Sequence, residues 1–329
     1  MIIITGAAGF IGSVLVHHFN SLGVTDLLLV DEFESGDKWL NLRDAQFAGM
    51  IHPQELWDHP IWKKLNAVKG VFHMGAISAT TETDMDLLYD NNTLYTNLLF
   101  ELCAKKKVPL VYASSAATYG DGEQGYKDDH KLVGKLKPLN KYGWSKQLTD
   151  QWVLKQKLTP PCWFGVKFFN VFGPNEYHKG SMSSVVYHGF KQIKADGEIK
   201  LFKSHREGYA DGGQKRDFVY AKHVCRAMVE LMAAGKKKPA LSGLYNLGTG
   251  EARTFDDLAK ATFHALGLRP KIKYIDMPAN LRAQYQYFTE ADMAKLKKAL
   301  PKFKFRALEE AVTDYVQNHL DTAHPYLGE

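Results

Sequence analysis

Tyr142 and Lys146 stand four residues apart in Tyr-Gly-Trp-Ser-Lys, a spacing that stacks a phenol and an ammonium on one face of a helix. A phenol ionises near ~10, so using it as a base at neutral pH costs roughly 4 kcal/mol at ~1.36 per pKa unit. A neighbouring ammonium offsets part of that, and the pair suits general acid–base work at an oxygen. Tyr-x-x-x-Lys alone is common by chance. Here Ser115 lies twenty-seven residues upstream of Tyr142, where the apolar run Pro109-Leu-Val-Tyr-Ala-Ser-Ser115 gives way to small and hydroxyl-bearing residues as far as Gly120. A serine at a strand end can hydrogen-bond the reacting oxygen while Tyr142 exchanges its proton and Lys146 holds the phenol pKa down. Trp144, Leu148 and Trp152 lie nearly opposite on the same helix and are expected to anchor it to apolar neighbours.

Those residues need a frame, and the first thirty residues supply one. Met1-Ile-Ile-Ile-Thr5 reads as a buried strand, Gly6-Ala-Ala-Gly9-Phe10-Ile11-Gly12 as a glycine turn, and Val14, Leu15 and Phe19 as the buried side of a helix. Strand, glycine turn and helix together point to a dinucleotide, its pyrophosphate held at the helix N-terminus. A second strand, Leu27-Leu-Leu-Val30, ends in Asp31, nineteen residues beyond Gly12, where an acid meets the adenosine ribose. Asp31 and Glu32 repel a 2′-phosphate and favour NAD, whereas Lys38 could neutralise that phosphate and favour NADP.

Val68 to Met74 reads as the next buried strand, with His73 packed in it, and the small residues Gly75, Ala76 and Ser78 leave room for a cofactor backbone. Asp86 to Lys107 reads as one helix carrying Asn91 and Asn92, one of them a candidate cofactor contact. After the strand Gly165–Asn170 the pair Gly173-Pro174 marks a boundary. The expected fold is α/β, a Rossmann doubly wound parallel sheet with a smaller C-terminal α/β substrate domain. Residues 1–173 plus 217–245 are expected to bind the dinucleotide, and 174–216 plus 246–329 the substrate. In the second part, the polar segment Asn175–Met182 faces the cofactor crevice, and the strand Lys215–Tyr220 opens on a basic pair suited to phosphate. Helices are expected from Thr254, from Glu290 and over Ala307 to Leu320.

The totals exclude several classes. The chain has 329 residues, 45% of them hydrophobic, enough for a sizeable core. A net charge of +6 is spread along the chain, with Lys105–Lys107 and Lys236–Lys238 at helix ends, so no nucleic-acid partner is expected. No run of eighteen apolar residues and no basic leader is present, which predicts a soluble cytoplasmic protein without a membrane partner. Cys103, Cys162 and Cys225 are far apart and predict buried thiols, with no disulfide framework and no metal site.

With the glycine turn, Ser115, Tyr142 and Lys146 in place, the chain resembles the extended short-chain dehydrogenase/reductases of the NAD-dependent epimerase/dehydratase family. Within them it resembles the ADP-heptose epimerases almost end to end. The residues that carry the likeness are Tyr112–Gly120, Pro138–Lys146, Phe169–Pro174, His178-Lys-Gly-Ser-Met182 and Lys215–Tyr220, the stretch at Lys179 being the most discriminating. The resemblance implies a two-base redox epimerisation at C6 of ADP-glycero-manno-heptose, for lipopolysaccharide core precursor synthesis, with bound NADP. It assigns Tyr142 and Lys179 as the two bases, with Ser115 and Lys146 in support. Phe10, Ile11, Asp31, Glu32, Lys38, Gly75, Ala76, Ser78, Asn91, Tyr142, Lys146, Val171 and Lys179 match cofactor contacts. Asn170, Ser181, His188, Phe202, Ser204, Arg216 and Tyr285 match substrate contacts. A homo-oligomer, suggested to be a pentamer, is implied as well.

Some positions depart from the pattern. Pro53 stands where a lysine often meets the 2′-phosphate, Met74 and Ile77 replace other types, the loop Lys203–Gln214 is longer, and His223 replaces an aspartate. Rival readings are a nucleotide-sugar 4,6-dehydratase, a UDP-hexose 4-epimerase and a non-catalytic dinucleotide sensor. The first needs an acidic pair where Ala116-Ala117 stands; the second lacks a reason for the Lys179 stretch; the third tends to lose the tyrosine or lysine, and both are present.

Overall fold

A computed structural model describes every residue except Glu34, Leu65, Ala283, Gln284 and Glu329. Its strands are β1 (Ile2–Thr5), β2 (Leu27–Val30), β3 (Gly49–Ile51), β4 (Gly70–His73), β5 (Leu110–Ser115), β6 (Trp163–Phe168), β7 (Asn170–Phe172), β8 (Ile199–Phe202), β9 (Lys215–Tyr220), β10 (Gly243–Leu247), β11 (Ala252–Thr254) and β12 (Ile272–Ile275). Seven of them form one parallel sheet in the order β10-β6-β5-β4-β1-β2-β3. The near-continuous apolar runs of β1 and β2 suit strands covered on both faces. The chain grows outward from β1 through β2 to β3 and then returns to β4 on the other side of β1. That reversal opens a crevice at the carboxyl ends of β1 and β4, the place where such sheets bind ligands.

One face of the sheet is covered by α1 (Phe10–Ser21) and, later in the chain, by the helix Ala221–Lys237, through Val14, Leu15, Val224 and Met228. The other face carries a composite helix and α4 (Lys141–Val153). The composite runs as α2 (Met85–Leu88), a π turn Tyr89–Leu94 and α3 (Tyr95–Lys106). The sequence reads this as one α-helix; the π turn inserts extra backbone in mid-helix, where Asn92 is fully buried.

Beyond β7, a three-stranded sheet β11-β9-β7 and the pair β12-β8 pack with α5 (Val185–Asp196), α7 (Phe255–Ala265) and the helix Leu308–Tyr315, while α6 is the helix Ala221–Lys237 already placed on the main sheet. Three expectations shift in detail. The helix after Tyr285 begins at Ala294 rather than Glu290, β11 intervenes before α7, and a π turn Val316–Leu320 continues the last helix. Trp152 packs edge-on against Phe100 at 5.9 Å, but Trp144, expected to be a second apolar anchor, is 47% exposed. Among the described residues no helix is long and apolar enough to cross a membrane.

Candidate active site

The glycine turn is packed so closely that it admits no side chains at two positions. Gly6 has φ 62°, and a Cβ there would lie 2.5 Å from the Gly75 nitrogen; one on Gly12 would collide with the Gly6 carbonyl. Asp31 closes the turn from the side, its Oδ2 accepting from the Ala8 amide at 2.7 Å and its Oδ1 from Lys38 Nζ at 2.9 Å. Lys38 is therefore ion-paired, and Glu32 faces His52 at 3.2 Å. Phe10 and Ile11 open α1. These residues fit a nicotinamide dinucleotide: bare backbone that a pyrophosphate could approach, a helix N-terminus, and an acid, Asp31, just beyond the end of β2.

Behind the turn a chain of hydrogen bonds runs across the sheet. The Gly75 amide donates to Thr5 Oγ1 at 3.2 Å, Thr5 Oγ1 meets His73 Nδ1 at 2.6 Å, His73 Nε2 meets Thr96 Oγ1 at 2.9 Å, and Thr96 donates to the Asn92 carbonyl at 2.7 Å. Because the Thr96 proton is committed, Nε2 carries the ring proton and Nδ1 accepts from Thr5. Burial, with Lys146 nearby, pushes His73 down to about 3. Asn92 spans the next gap, exchanging bonds with both backbone groups of Ile77 and donating to Ser145 Oγ at 3.1 Å. It thus ties the loop Gly75–Ser78 to α4, while Asn91 is half-buried on the same turn and Ser78 exposed.

Ser115 is the last residue of β5 and Asn140 caps α4 by accepting from the Gly143 amide at 2.8 Å, which sets the first turn carrying Tyr142. Burial raises the Tyr142 phenol and a hydrogen bond with Ser115 pulls it back only in part, so the lowered phenol expected from the Lys146 spacing is not reached, and Ser115 rather than Lys146 is the group that stabilises the phenolate. Lys146 is 2% exposed; burial brings its ammonium down to about 8 while Asp150 opposes. Asp150, one turn further, accepts from Tyr112 at 3.0 Å, Ser114 at 2.7 Å and Lys167 at 2.5 Å, and Lys167 also reaches Thr118 at 2.7 Å. The three residues chosen from spacing are gathered at the carboxyl edge of β5 and the start of α4.

Lys179 lies on the turn Tyr177–Met182, where Gly180 takes φ 54°. Its Nζ is 5.6 Å from the centroid of the Phe10 ring, beside the first residue of α1. Burial lowers its pKa and Glu176, 1% exposed, opposes. His178 is held at 3.2 Å by Asn41, which also donates to the Ala8 carbonyl at 2.9 Å, and burial takes the imidazole down to about 4. The turn bearing Lys179 is thereby joined to the glycine turn.

The candidate substrate residues divide. Arg216 is buried, with its guanidinium 5.0 Å above Tyr285 and 5.8 Å from Phe255, and Phe202 meets Tyr285 edge-on at 6.5 Å. Ser204 is occupied within its own loop, its amide donating to Asp211 and its hydroxyl to the Arg206 carbonyl. His188 leans on Tyr187 at 5.9 Å along α5, Ser181 and Asn170 are exposed, and Val171 is half-buried on β7. His223 packs edge-on against Tyr220 and Phe305 and burial takes it to about 4, so its place is in the packing of α6.

The model of the NAD dependent epimerase/dehydratase family matches residues 2–248. The chain belongs to that family. A relative from Fusobacterium nucleatum, ADP-L-glycero-D-manno-heptose-6-epimerase, is 48% identical over 336 residues, covering 99% of this chain and all of its own. The solved Helicobacter pylori ADP-L-glycero-D-manno-heptose-6-epimerase superposes with a TM-score of 0.78 at 30% identity, over 96% of this chain and 95% of its own. MoeE5, solved in complex with UDP-glucose and NAD, gives 0.73 at 25% over 96% and 97%. This family member therefore has its Rossmann sheet in the company of nucleotide-sugar enzymes.

Sequence reasoning passed over the buried Asp150–Lys167 pair. The signals were present: Asp150 follows Lys146 by one helical turn, and Lys167 interrupts an apolar strand. Glu176 was missed as well. Its carboxylate accepts from the Ser184 amide and hydroxyl at 2.6 Å each and folds the polypeptide back after Lys179; no local pattern marks such a role.

Proposed function

We infer that the chain is an isomerase that interconverts ADP-D-glycero- and ADP-L-glycero-D-manno-heptose by transient oxidation at C6. The near-full-length likeness to epimerases of that name supports the substrate. The observation that carries the mechanism is Lys179: a lysine on the turn Tyr177–Met182 whose ammonium faces the ring of Phe10 at the start of α1 and whose pKa burial lowers, on a different element from Tyr142. Epimerisation through a ketone needs acid–base groups for two faces of one carbon, and the two elements offer one each. A nicotinamide dinucleotide held at the glycine turn and by Asp31 and Lys146 would supply the redox chemistry, a hydride accepted from C6 and given back to it. Tyr142, hydrogen-bonded by Ser115, exchanges the hydroxyl proton on one side, and Lys179 on the other. Lys146 keeps a positive charge beside the phenol at neutral pH and holds the nicotinamide ribose. Arg216 on its aromatic bed receives the diphosphate.

The dinucleotide is a nicotinamide dinucleotide on the family's evidence, and we take it to be NADP, with Lys38 turning from Asp31 toward the 2′-phosphate. We keep residues 1–173 plus 217–245 for the dinucleotide and 174–216 plus 246–329 for the sugar nucleotide. A cytoplasmic homo-oligomer, a pentamer by resemblance, completes the reading; Leu98 and Trp144, 44% and 47% exposed on adjacent helices, support self-association. Purified protein supplied with ADP-heptose and, separately, UDP-galactose tests the reading. Conversion of the first alone is expected, and conversion of UDP-galactose alone overturns it.

A further inference from the structure

The chain's last residues return to the loop that carries Lys179, and they do so through side chains that no proposed reaction step uses. Asn175 is fully buried and holds φ 69°, a positive φ that asparagine tolerates better than other side-chain-bearing residues. Its amide group is used on both sides. Nδ2 donates to Ser13 Oγ of α1 at 3.1 Å and leans on the Asn41 carbonyl at 3.4 Å, while Oδ1 accepts from the Leu327 amide at 3.2 Å. Two residues on, the Tyr177 hydroxyl meets the Pro325 carbonyl at 2.7 Å and the His319 carbonyl at 3.2 Å. The ring of Tyr326, between these two anchors, stands edge-on to Tyr177 at 5.1 Å. Leu327 completes the contact by packing on the core beside α1.

We propose that Pro325, Tyr326 and Leu327 form a strap that positions Lys179, seating the loop 175–182 against the start of α1 through Asn175 and Tyr177. The inference rests on the reading of Lys179 as one of two bases. The Lys179 backbone amide donates to the Glu176 carbonyl at 3.0 Å, and among the described residues its ammonium has no hydrogen-bond partner, so the side chain is placed by Phe10 beneath it and by the seat of its loop. The titratable groups around it are Glu176 and His178 on its own loop, and Lys38 and Asp31 on the segment after β2, which act on His178. Loosening the strap lets water reach the ammonium and removes part of the burial that lowers its pKa. Deprotonation of Lys179 then sets in at higher pH, whichever half of the reaction it serves.

The test uses Tyr326→Ala holoenzyme and two readouts: turnover of ADP-heptose, and the pH dependence of acetic anhydride labelling of Lys179, read by peptide mass. The expected result is a labelling midpoint raised by about one pH unit and a kcat lowered on the order of 10-fold, with KM changed by less than about 2-fold. Tyr177→Phe, which removes a single hydroxyl, should move both in the same direction by less, and serves if the first variant folds poorly. An unmoved labelling midpoint overturns the strap, whatever happens to turnover. Lys179→Ala is assayed alongside. Near-normal turnover there overturns the reading of Lys179 as a base, an outcome separate from the labelling result.

Discussion

Asp150→Asn probes the polar layer under the catalytic helix, and its effect can be worked out from both sides of the carboxylate. The Asp150 and Lys167 side chains are 0% and 1% exposed and 2.5 Å apart. Neutralising one partner strands the other's charge in the interior, which costs about 3–5 kcal/mol; Thr118 at 2.7 Å and the Tyr119 ring at 5.2 Å remain beside the ammonium, and neither carries a full negative charge. Removing both charges, in Asp150→Asn with Lys167→Met, should recover most of that and end within about 2 kcal/mol of the parent. The same carboxylate raises the pKa of Lys146, which burial has brought to about 8. Without it Lys146 falls further, so the charge beside Tyr142 is lost at lower pH and the alkaline limb of the rate profile moves down. Urea denaturation of the single and double variants gives the stabilities, and kcat against pH gives the limb. A single variant within about 1 kcal/mol of the parent, or a double variant no better than the single, would refute the argument.

Two further predictions concern the cofactor crevice. His73, ordinarily near 6.5 and held at about 3 in the fold, binds a proton more readily when unfolded; its contribution is complete above 6.5 and is lost as pH falls toward 3. By that linkage the loss at pH 5 is about 2 kcal/mol, and His73→Gln should show a smaller fall between pH 7 and pH 5 in urea denaturation than the parent; an identical fall would contradict the assignment. Lys38→Ala should weaken NADP about 10-fold while leaving NAD nearly unchanged, by fluorescence titration, since a charged hydrogen bond to the 2′-phosphate contributes about 1.5–3 kcal/mol. Equal losses for both dinucleotides would show that Lys38 serves only Asp31.

The parts of this chain written in local pattern were legible. β1, the glycine turn, α1 and β2 follow from an apolar run, three glycines and a helical stripe, and the order Ser115, Tyr142, Lys146 follows from spacing. What escaped depends on contacts between distant segments. Asn91 and Asn92 look equivalent in sequence, and only the π turn buries Asn92 while leaving Asn91 half-buried. Lys38 looks free to meet a phosphate until Asp31 is seen beside it, and Ser204 looks available until its loop closes on itself. Trp144 has the character of a core anchor, yet its helix turns it outward. Nothing near Lys179 in sequence announces that residues 325–327 meet its loop.

The central claim is that C6 is oxidised and then reduced by the same hydride, with Tyr142 and Lys179 handling the oxygen's proton. ADP-heptose carrying deuterium at C6, incubated with the purified enzyme in ordinary water and followed by NMR, tests this directly. The two epimers should equilibrate while deuterium stays on C6 and no dinucleotide is consumed. Epimerisation with deuterium washed out to solvent would contradict it, since the proton would then have left carbon as an acid and the two bases would be doing different chemistry.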